Sequence, residues 1–291
     1  MNERDWLADR FEERRTRLRA VAYRMLGSLS EADDAVQEAW LRLNRTDTDA
    51  IENLDAWLTT VVARVSLNML RARRTRREEP LEAQLPEPIL DRADGIDPEH
   101  EALLADSVGL ALLVVLETLS PPERLAFVLH DMFAVPFEEI APIVDRSPDA
   151  ARQLASRARR RVQGEGKVPD GDIGDQWRVV DAFLAASREG DFEALLKLLD
   201  PDVVVRADFG PGSESRLVRG PRAVIGQALF YSRMGLEMRR ALVNGVPGAV
   251  SYRNGELFSV GAVTVRGGKI VEMDFLGDPE RLRELDLTVL D

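Results

Sequence analysis

At 291 residues and 32.5 kDa the chain exceeds one domain of ordinary size, and 45% hydrophobic with 31% charged residues is a globular composition, not a disordered or collagen-like one. Without cysteine, and with only His100 and His130, it excludes disulfides, thiolate zinc sites and cysteine nucleophiles and nearly closes histidine-based chemistry, so no metal and no cofactor is predicted. The net charge of −12 is unevenly spread: residues 78–123 hold 12 Asp or Glu against Arg92 alone, while arginines cluster at 71–77 and 152–161.

No apolar run approaches the roughly 20 residues of a bilayer span, and residues 1–10 are charged where a signal peptide is apolar. A cytoplasmic protein with no membrane contact is expected. From Phe11 to Arg77 the apolar residues recur at helical steps, as in Leu54, Leu58, Val61, Val65 and Met69, which predicts a small helical bundle. Ser30 with Asp33 and Asp34 reads as the start of the helix carrying Ala35, Val36, Ala39, Trp40 and Leu43. Residues 78–100 set Pro80, Pro86, Pro88 and Pro98 among acids with no sustained period, an extended linker. An apolar helix is expected over Leu103–Leu119, followed by one with Pro121 and Pro122 in its first turn, where a missing amide is harmless.

The most specific local pattern is Phe137–Val144, then Asp145-Arg146-Ser147, then Pro148–Arg161. Ser147 suits an N-cap, Pro148 the first helical position, and Asp149 the positive end of the dipole. With Ala151, Leu154, Ala155, Ala158 and Val162 inward, Arg152, Gln153, Ser156, Arg157 and Arg160 project outward. A short helix, a tight turn and a second helix with outward Arg and Gln fit a major groove, where Arg reads guanine and Gln reads adenine. Five arginines without an acid between Arg152 and Arg161 exceed what solubility needs.

After a short linker at 165–174 the signal changes class. Gln176–Arg188, Phe192–Leu199 and Pro221–Met234 read as amphipathic helices; Val203–Ala207, Leu236–Val243, Ala249–Arg253, Leu257–Val265 and Ile270–Phe275 read as strands. Asn254-Gly255 and Gly267-Gly268 are hairpin signals. The expectation is an α+β domain with helices against a curved antiparallel sheet.

Residues 8–163 resemble a bacterial RNA polymerase sigma factor of the extracytoplasmic-function (ECF) group. The resemblance rests on Ala22–Ser28 with Glu31–Leu41, on Asp55–Arg64 through Arg77, and on Arg124–Asp131 with the helix-turn-helix. It implies that Asp33, Asp34, Gln37, Glu38 and Leu41 dock on the β′ clamp helices of core RNA polymerase. Asn44, Arg64, Arg71, Arg73 and Arg74 would serve the minus-ten element of promoter DNA, with the loop 44–53 catching a flipped base, and Arg152, Gln153, Ser156, Arg157 and Arg160 the minus-thirty-five element. Asn68 stands where the family has Asp, and Trp57 reads as core. The last domain resembles the SnoaL-like (NTF2-like) cone fold, which matches an ECF subgroup with such an extension. Leu85-Pro86-Glu87-Pro88 matches that subgroup's connector signature, Asp278-Pro279-Glu280-Arg281-Leu282 its terminal one with Gly277, Glu280 and Arg281 as departures, and Asp208 opens a loop near its glycine-run motif.

The implied organisation is a sigma region 2-like helical domain at 1–77, the acidic linker 78–100, a region 4-like helix-turn-helix domain at 101–164, the linker 165–174 and a SnoaL-like domain at 175–291. Leu85, Pro86, Glu87, Pro88, Asp208, Asp278, Pro279 and Leu282 are the candidate interdomain regulatory residues, and a small molecule in the cone pocket is a possible further partner. Two rivals remain open. One is a free-standing helix-turn-helix repressor. The other is an enzyme of the SnoaL type fused to a DNA-binding module, with Asp208, Glu272 or Asp274 as base and Tyr231 or Tyr252 as donor; Glu272 and Asp274 are expected to face solvent if Val271, Met273 and Phe275 face in. No enzymatic activity is the preferred expectation.

Overall fold

The computed structural model describes residues 3–47, 51–75, 85–97, 100, 109–165, 169, 171–210 and 216–290. The chain divides into two compact units, one of Met1–Glu79, Glu101–Asp106 and Val115–Glu165, the other of Pro80–His100, Ser107–Val114 and Gly166–Asp291.

In the first unit α1 (Glu3–Leu26), α2 (Leu29–Leu43) and α3 (Leu54–Thr75) pack on one another as the predicted bundle. α2 buries Ala32, Ala35, Val36, Ala39 and Leu43, a stripe at steps of three and four. It begins earlier than expected. Gly27, at φ 71°, closes α1, leaving Ser28 extended so that its hydroxyl accepts from the amide of Glu31; Ser30 is already helical. Further along come α4 (Leu110–Thr118), α5 (Pro121–Phe127) running into a wide turn at Val128–Met132, α6 (Phe137–Val144) and α7 (Pro148–Glu165). The amino-terminal part of the helix expected over Leu103–Leu119 lies outside the described residues. The division changes at 100/101, and Ser107–Val114, which holds the first half of α4, groups with the second unit while Val115–Glu165 groups with the first.

The second unit is a seven-stranded sheet in the order β1-β4-β5-β6-β7-β2-β3. α8 (Ile173–Glu189) and α9 (Phe192–Leu198) precede β2 (Leu199–Asp208), then follow β3 (Arg216–Arg219), α10 (Pro221–Ser232), β4 (Glu237–Val243), β5 (Val246–Arg253), β6 (Glu256–Arg266), β7 (Lys269–Leu276) and α11 (Pro279–Arg283). Trp177, Phe183, Leu195, Val203, Ile225, Ile270 and Met273 form the core between helices and sheet, which gives the SnoaL-like cone. Asn254 and Gly255 both take positive φ, the tight-hairpin geometry their dipeptide predicts.

Two expectations need correction. β1 is Leu90–Arg92, paired with β4: the carboxyl end of the expected linker is an edge strand of the terminal sheet, because Ile89 and Leu90 bury their side chains there while β4 has free backbone groups to pair. The sheet is also not wholly antiparallel. β2 runs parallel to β7, and the length of chain between them leaves their direction free of any tight-turn constraint. Among the described residues no helix is long and apolar enough to cross a membrane.

Candidate nucleic-acid interface and connector clamp

The helix-turn-helix forms as its caps dictate. Asp145 takes the left-handed conformation at φ 57°, the amide of Arg146 donates to the carbonyl of Ala141, and the Ser147 hydroxyl accepts from Ala150 at the head of α7. Ala151, Ala155, Ala158 and Val162 are buried. Arg152, Gln153, Ser156, Arg157 and Arg160 are all exposed, the face read from the sequence. Gln153, Ser156 and Arg160 have no side-chain partner among the described residues. Arg152 pairs with Asp149 at 2.7 Å and stacks on Phe137, and Arg157 pairs with Glu123 at 2.9 Å. Burial opposes ionisation of Glu123, yet its carboxyl lies below the ordinary range because the Ser120 hydroxyl and Arg157 stabilise the charge.

On α2, Asp34, Gln37 and Leu41 are exposed, while Asp33 is paired with Arg19 and Glu38 with Arg42. Asn44 caps α2 by donating to the Trp40 carbonyl. Arg71 is exposed, and the Arg74 side chain lies outside what is described. Arg73 turns inward to Glu31 and donates to the Leu26 carbonyl at 3.1 Å.

The two helical regions of this unit also pack on each other. α3 lies against α5 and α6, and Arg64, a candidate minus-ten residue, donates to the Pro142 carbonyl in α6 at 3.4 Å. At the centre Arg124 of α5, 2% exposed, donates to the Arg24 carbonyl of α1 at 3.0 Å and pairs with Glu117 at 2.8 Å. The buried Arg24 guanidinium stacks over Phe133. Buried guanidinium groups hold such a contact only with partners already in place. No local pattern around either arginine marks it for this role.

In the second unit the connector is gripped by its backbone. Leu85, 2% exposed, donates its amide to Asp208 Oδ2 at 3.1 Å, and its carbonyl accepts from Arg281 Nη2 at 2.6 Å; Arg281 Nη1 also donates to Asp208 at 2.7 Å. Four residues on, Ile89 and Asn244 repeat the arrangement: the Ile89 amide donates to Asn244 Oδ1 and the Asn244 amide to the Ile89 carbonyl. Pro86 and Pro88, buried between these points, have no amide needing a partner, so the segment leaves few orphan donors. β1 then adds itself to the sheet, a strand-addition mode of peptide binding. Asp278 caps α11 by accepting from Glu280, Pro279 opens that helix and Leu282 anchors it in the core. These three hold Arg281 in place, and Gly210 allows Asp278 its approach, since a Cβ there would lie 2.6 Å from the carboxyl carbon. Glu87 is only partly buried. Sequence reasoning missed Asn244, whose Asn-Gly hairpin was the available signal, and set Arg281 aside as a departure.

The cone encloses a cavity of about 210 Å³ lined by Phe183, Phe209, Tyr231, Ser251, Ser259 and Phe275 among others. Met273 and Phe275 face it, so Glu272 and Asp274 lie on the opposite face of β7. That face is not solvent, contrary to expectation: the two residues are 2% and 1% exposed and share Arg206 of β2, which lies beside Asp274 in register. Asp274 is pushed up to about 8, first by burial and then by the charge of Glu272, with Arg206 opposing. Tyr252 stacks with Arg239.

A helical bundle, a helix-turn-helix, a clamped connector and a cone domain are the architecture of a class, the multidomain transcription-initiation factors, and the comparisons agree. Residues 10–76 match the family "Sigma-70 region 2" and residues 109–162 the family "Sigma-70, region 4". The chain is 40% identical over 287 residues to the ECF RNA polymerase sigma factor SigJ of Mycobacterium tuberculosis, covering 93% of this chain and 91% of that one. It is 33% identical to the probable ECF sigma factor SigI of the same organism, covering 98% of each. The crystal structure of M. tuberculosis SigJ superposes with a TM-score of 0.76 at 36% identity over 96% of this chain and 99% of that one. The chain belongs to the ECF RNA polymerase sigma factors.

Proposed function

We propose that the chain binds core RNA polymerase through the α2 surface around Asp34, Gln37 and Leu41, reads promoter DNA with α3 and α7, and is held in check by its own cone domain through the connector. It does this in the cytoplasm and without catalysis of its own. The observation that carries the DNA reading is the exposed face of α7 from Arg152 to Arg161, a stretch without an acid, on which Gln153, Ser156 and Arg160 have no side-chain partner among the described residues. Elements named for positions ten and thirty-five lie about 25 base pairs apart, roughly 85 Å of duplex at about 3.4 Å per step. A body of 136 residues has a radius of gyration of about 14 Å, so a unit with α3 packed on α5 and α6 must open to reach both. The grip of Asp208, Arg281 and Asn244 on residues 85–89 limits the connector length available for that opening, and a ligand or partner that favours the released state shifts the population toward it.

Two features favour a non-catalytic cone. Asp208 is engaged with Leu85, Gly210 and Arg281, and among the described residues no carboxylate or imidazole lines the cavity. In vitro transcription with core polymerase, comparing the full chain with a truncation at Gly164, tests the proposal. Equal output and equal promoter choice reject the regulatory role, and failure of both to bind polymerase rejects the whole. Tight binding to duplex DNA without polymerase favours the repressor.

A further inference from the structure

One acid stands on the stripe of α7 that is otherwise basic or neutral. Between Pro148 and Arg161 the sequence holds a single carboxylate, Asp149, and at helical steps of three, four, seven and eleven it heads the exposed row of Arg152, Gln153, Ser156 and Arg160. Its side chain is 86% exposed. The helix start is already capped without it, since the Ser147 hydroxyl accepts from the Ala150 amide and the Ser147 carbonyl from the Ala151 amide. On a face meant for a polyanion a carboxylate lowers affinity by like-charge repulsion unless a donor meets it. Arg152 beside it is held from two sides. Its Nη1 donates to Asp149 Oδ1 at 2.7 Å, and the guanidinium lies over the Phe137 ring at 5.3 Å. That ring, 8% exposed, stacks in turn on His130 with centroids 3.8 Å apart, and His130 Nδ1 donates to the Val135 carbonyl at 3.1 Å. The other guanidinium donors of Arg152 have no hydrogen-bond partner among the described residues.

We propose that Asp149 and Arg152 form one reading unit for a single G·C base pair of the minus-thirty-five element, Arg152 donating to guanine O6 and N7 and Asp149 accepting from the cytosine N4 amino group. The inference rests on the reading of DNA by α7 given above and adds Asp149 to the residues that select sequence. The chemistry is complementary in order. A G·C pair presents in the major groove two acceptors on guanine and then one donor on cytosine. A guanidinium bound at one corner to a carboxylate offers donors and then an acceptor, with the pair spanning both strands. With adenine in place of guanine, the N6 amino group meets guanidinium donors and the thymine O4 meets the carboxylate, so two contacts turn repulsive. The placement also fits, because the amino-terminal residues of a recognition helix are the ones that meet base edges. Phe137 and His130 are positioning residues: their stack confines the Arg152 guanidinium before DNA arrives, so less side-chain freedom is lost on binding. The carboxylate thereby lowers affinity for DNA at large and raises discrimination against wrong sequences.

The test uses the full chain assembled with core polymerase and a pool of promoter duplexes randomised over the minus-thirty-five region, with the bound duplexes sequenced. Each preference is a ratio within one pool, so partial loss of active protein scales all sequences alike. Wild type is expected to favour G·C at one position by about tenfold over every other pair. Asp149→Ala is expected to reduce that preference to about threefold or less, to leave other positions within about twofold, and to raise retention of non-specific duplex by about twofold. Arg152→Ala is expected to act on the same position, and the double variant to lose no more there than Arg152→Ala alone, because the two side chains act as a unit. Absence of a G·C preference in wild type overturns the proposal. So do effects of Asp149→Ala and Arg152→Ala on different positions, or an Asp149→Ala variant that lowers binding of all sequences equally and shifts the melting temperature, the signature of a structural acid. If Arg152→Ala and Arg160→Ala also leave every position unchanged, the reading of DNA by α7 fails as well. If those two change the preference while Asp149→Ala does not, that reading stands and the Asp149–Arg152 unit falls.

Discussion

Replacing Arg281 by Ala should release the connector by a calculable amount. Arg281 makes two charge-assisted hydrogen bonds, to the Leu85 carbonyl at 2.6 Å and to Asp208 at 2.7 Å, and its side chain is 22% exposed. Such bonds contribute about 1.5 to 3 kcal/mol each, and partial exposure argues for the lower end, so the loss is about 3 kcal/mol. Amide exchange at Leu85 then accelerates by about two orders of magnitude, since about 1.4 kcal/mol corresponds to a factor of ten. Arg281→Lys keeps the charge beside Asp208 but cannot bridge both acceptors, so about one order is expected. Ile89, held separately by Asn244, serves as the internal control and should change much less. Native-state hydrogen exchange with mass spectrometry reads both positions. If Leu85 exchange in Arg281→Ala stays within twofold of wild type, or if Ile89 accelerates equally, the clamp is not the local device described.

Arg160→Ala, which breaks no contact among the described residues, should weaken minus-thirty-five-dependent transcription by about 1 to 3 kcal/mol of binding and leave thermal stability unchanged; a shift in melting temperature instead would make Arg160 structural. Arg124→Met should cost about 3 kcal/mol in the first unit by removing a buried ion pair and stranding the Arg24 carbonyl, and, where folding survives, should raise the affinity for core polymerase in a pull-down by loosening the packing of α3 on α5. For Asp274 the native state keeps a proton to about pH 8 that the unfolded chain releases near 3.8. The contribution of Asp274 to the stability of the second unit is therefore fully present below about pH 4 and is lost as pH rises to about 8. Asp274→Asn should flatten that decline in urea titrations at pH 5, 7 and 8.5, and an unchanged slope would count against a protonated Asp274.

Local signals carried much of this molecule. The stripe of α2, the Ser147 and Pro148 start of α7 and the Asn254-Gly255 hairpin each depend on a few adjacent residues, and their expected elements formed there. The exposed face of α7 was legible for the same reason, because periodicity alone decides which residues point away from Ala151, Ala155 and Ala158. The Leu85–Pro88 and Asp208 motifs were also visible, as separate segments. Their meeting was not: a contact between residues 85, 208 and 281 has no period or spacing that marks it.

Glu272 and Asp274 show the limit most clearly. Alternation along β7 fixes only that they share a face opposite Met273 and Phe275; whether that face meets water depends on what packs over it, and the fold buries both against Arg206. Residues 90–92, read as linker because the stretch 78–100 sets prolines among acids, become a strand only because β4 offers an unpaired edge. The sequence by itself determined the helices, most strands and the outward face of α7, since those follow from short-range sterics and hydrophobic period. Tertiary structure alone decided which buried arginines join the two helical regions and which side chains hold the connector backbone, because each depends on a neighbour far away along the chain.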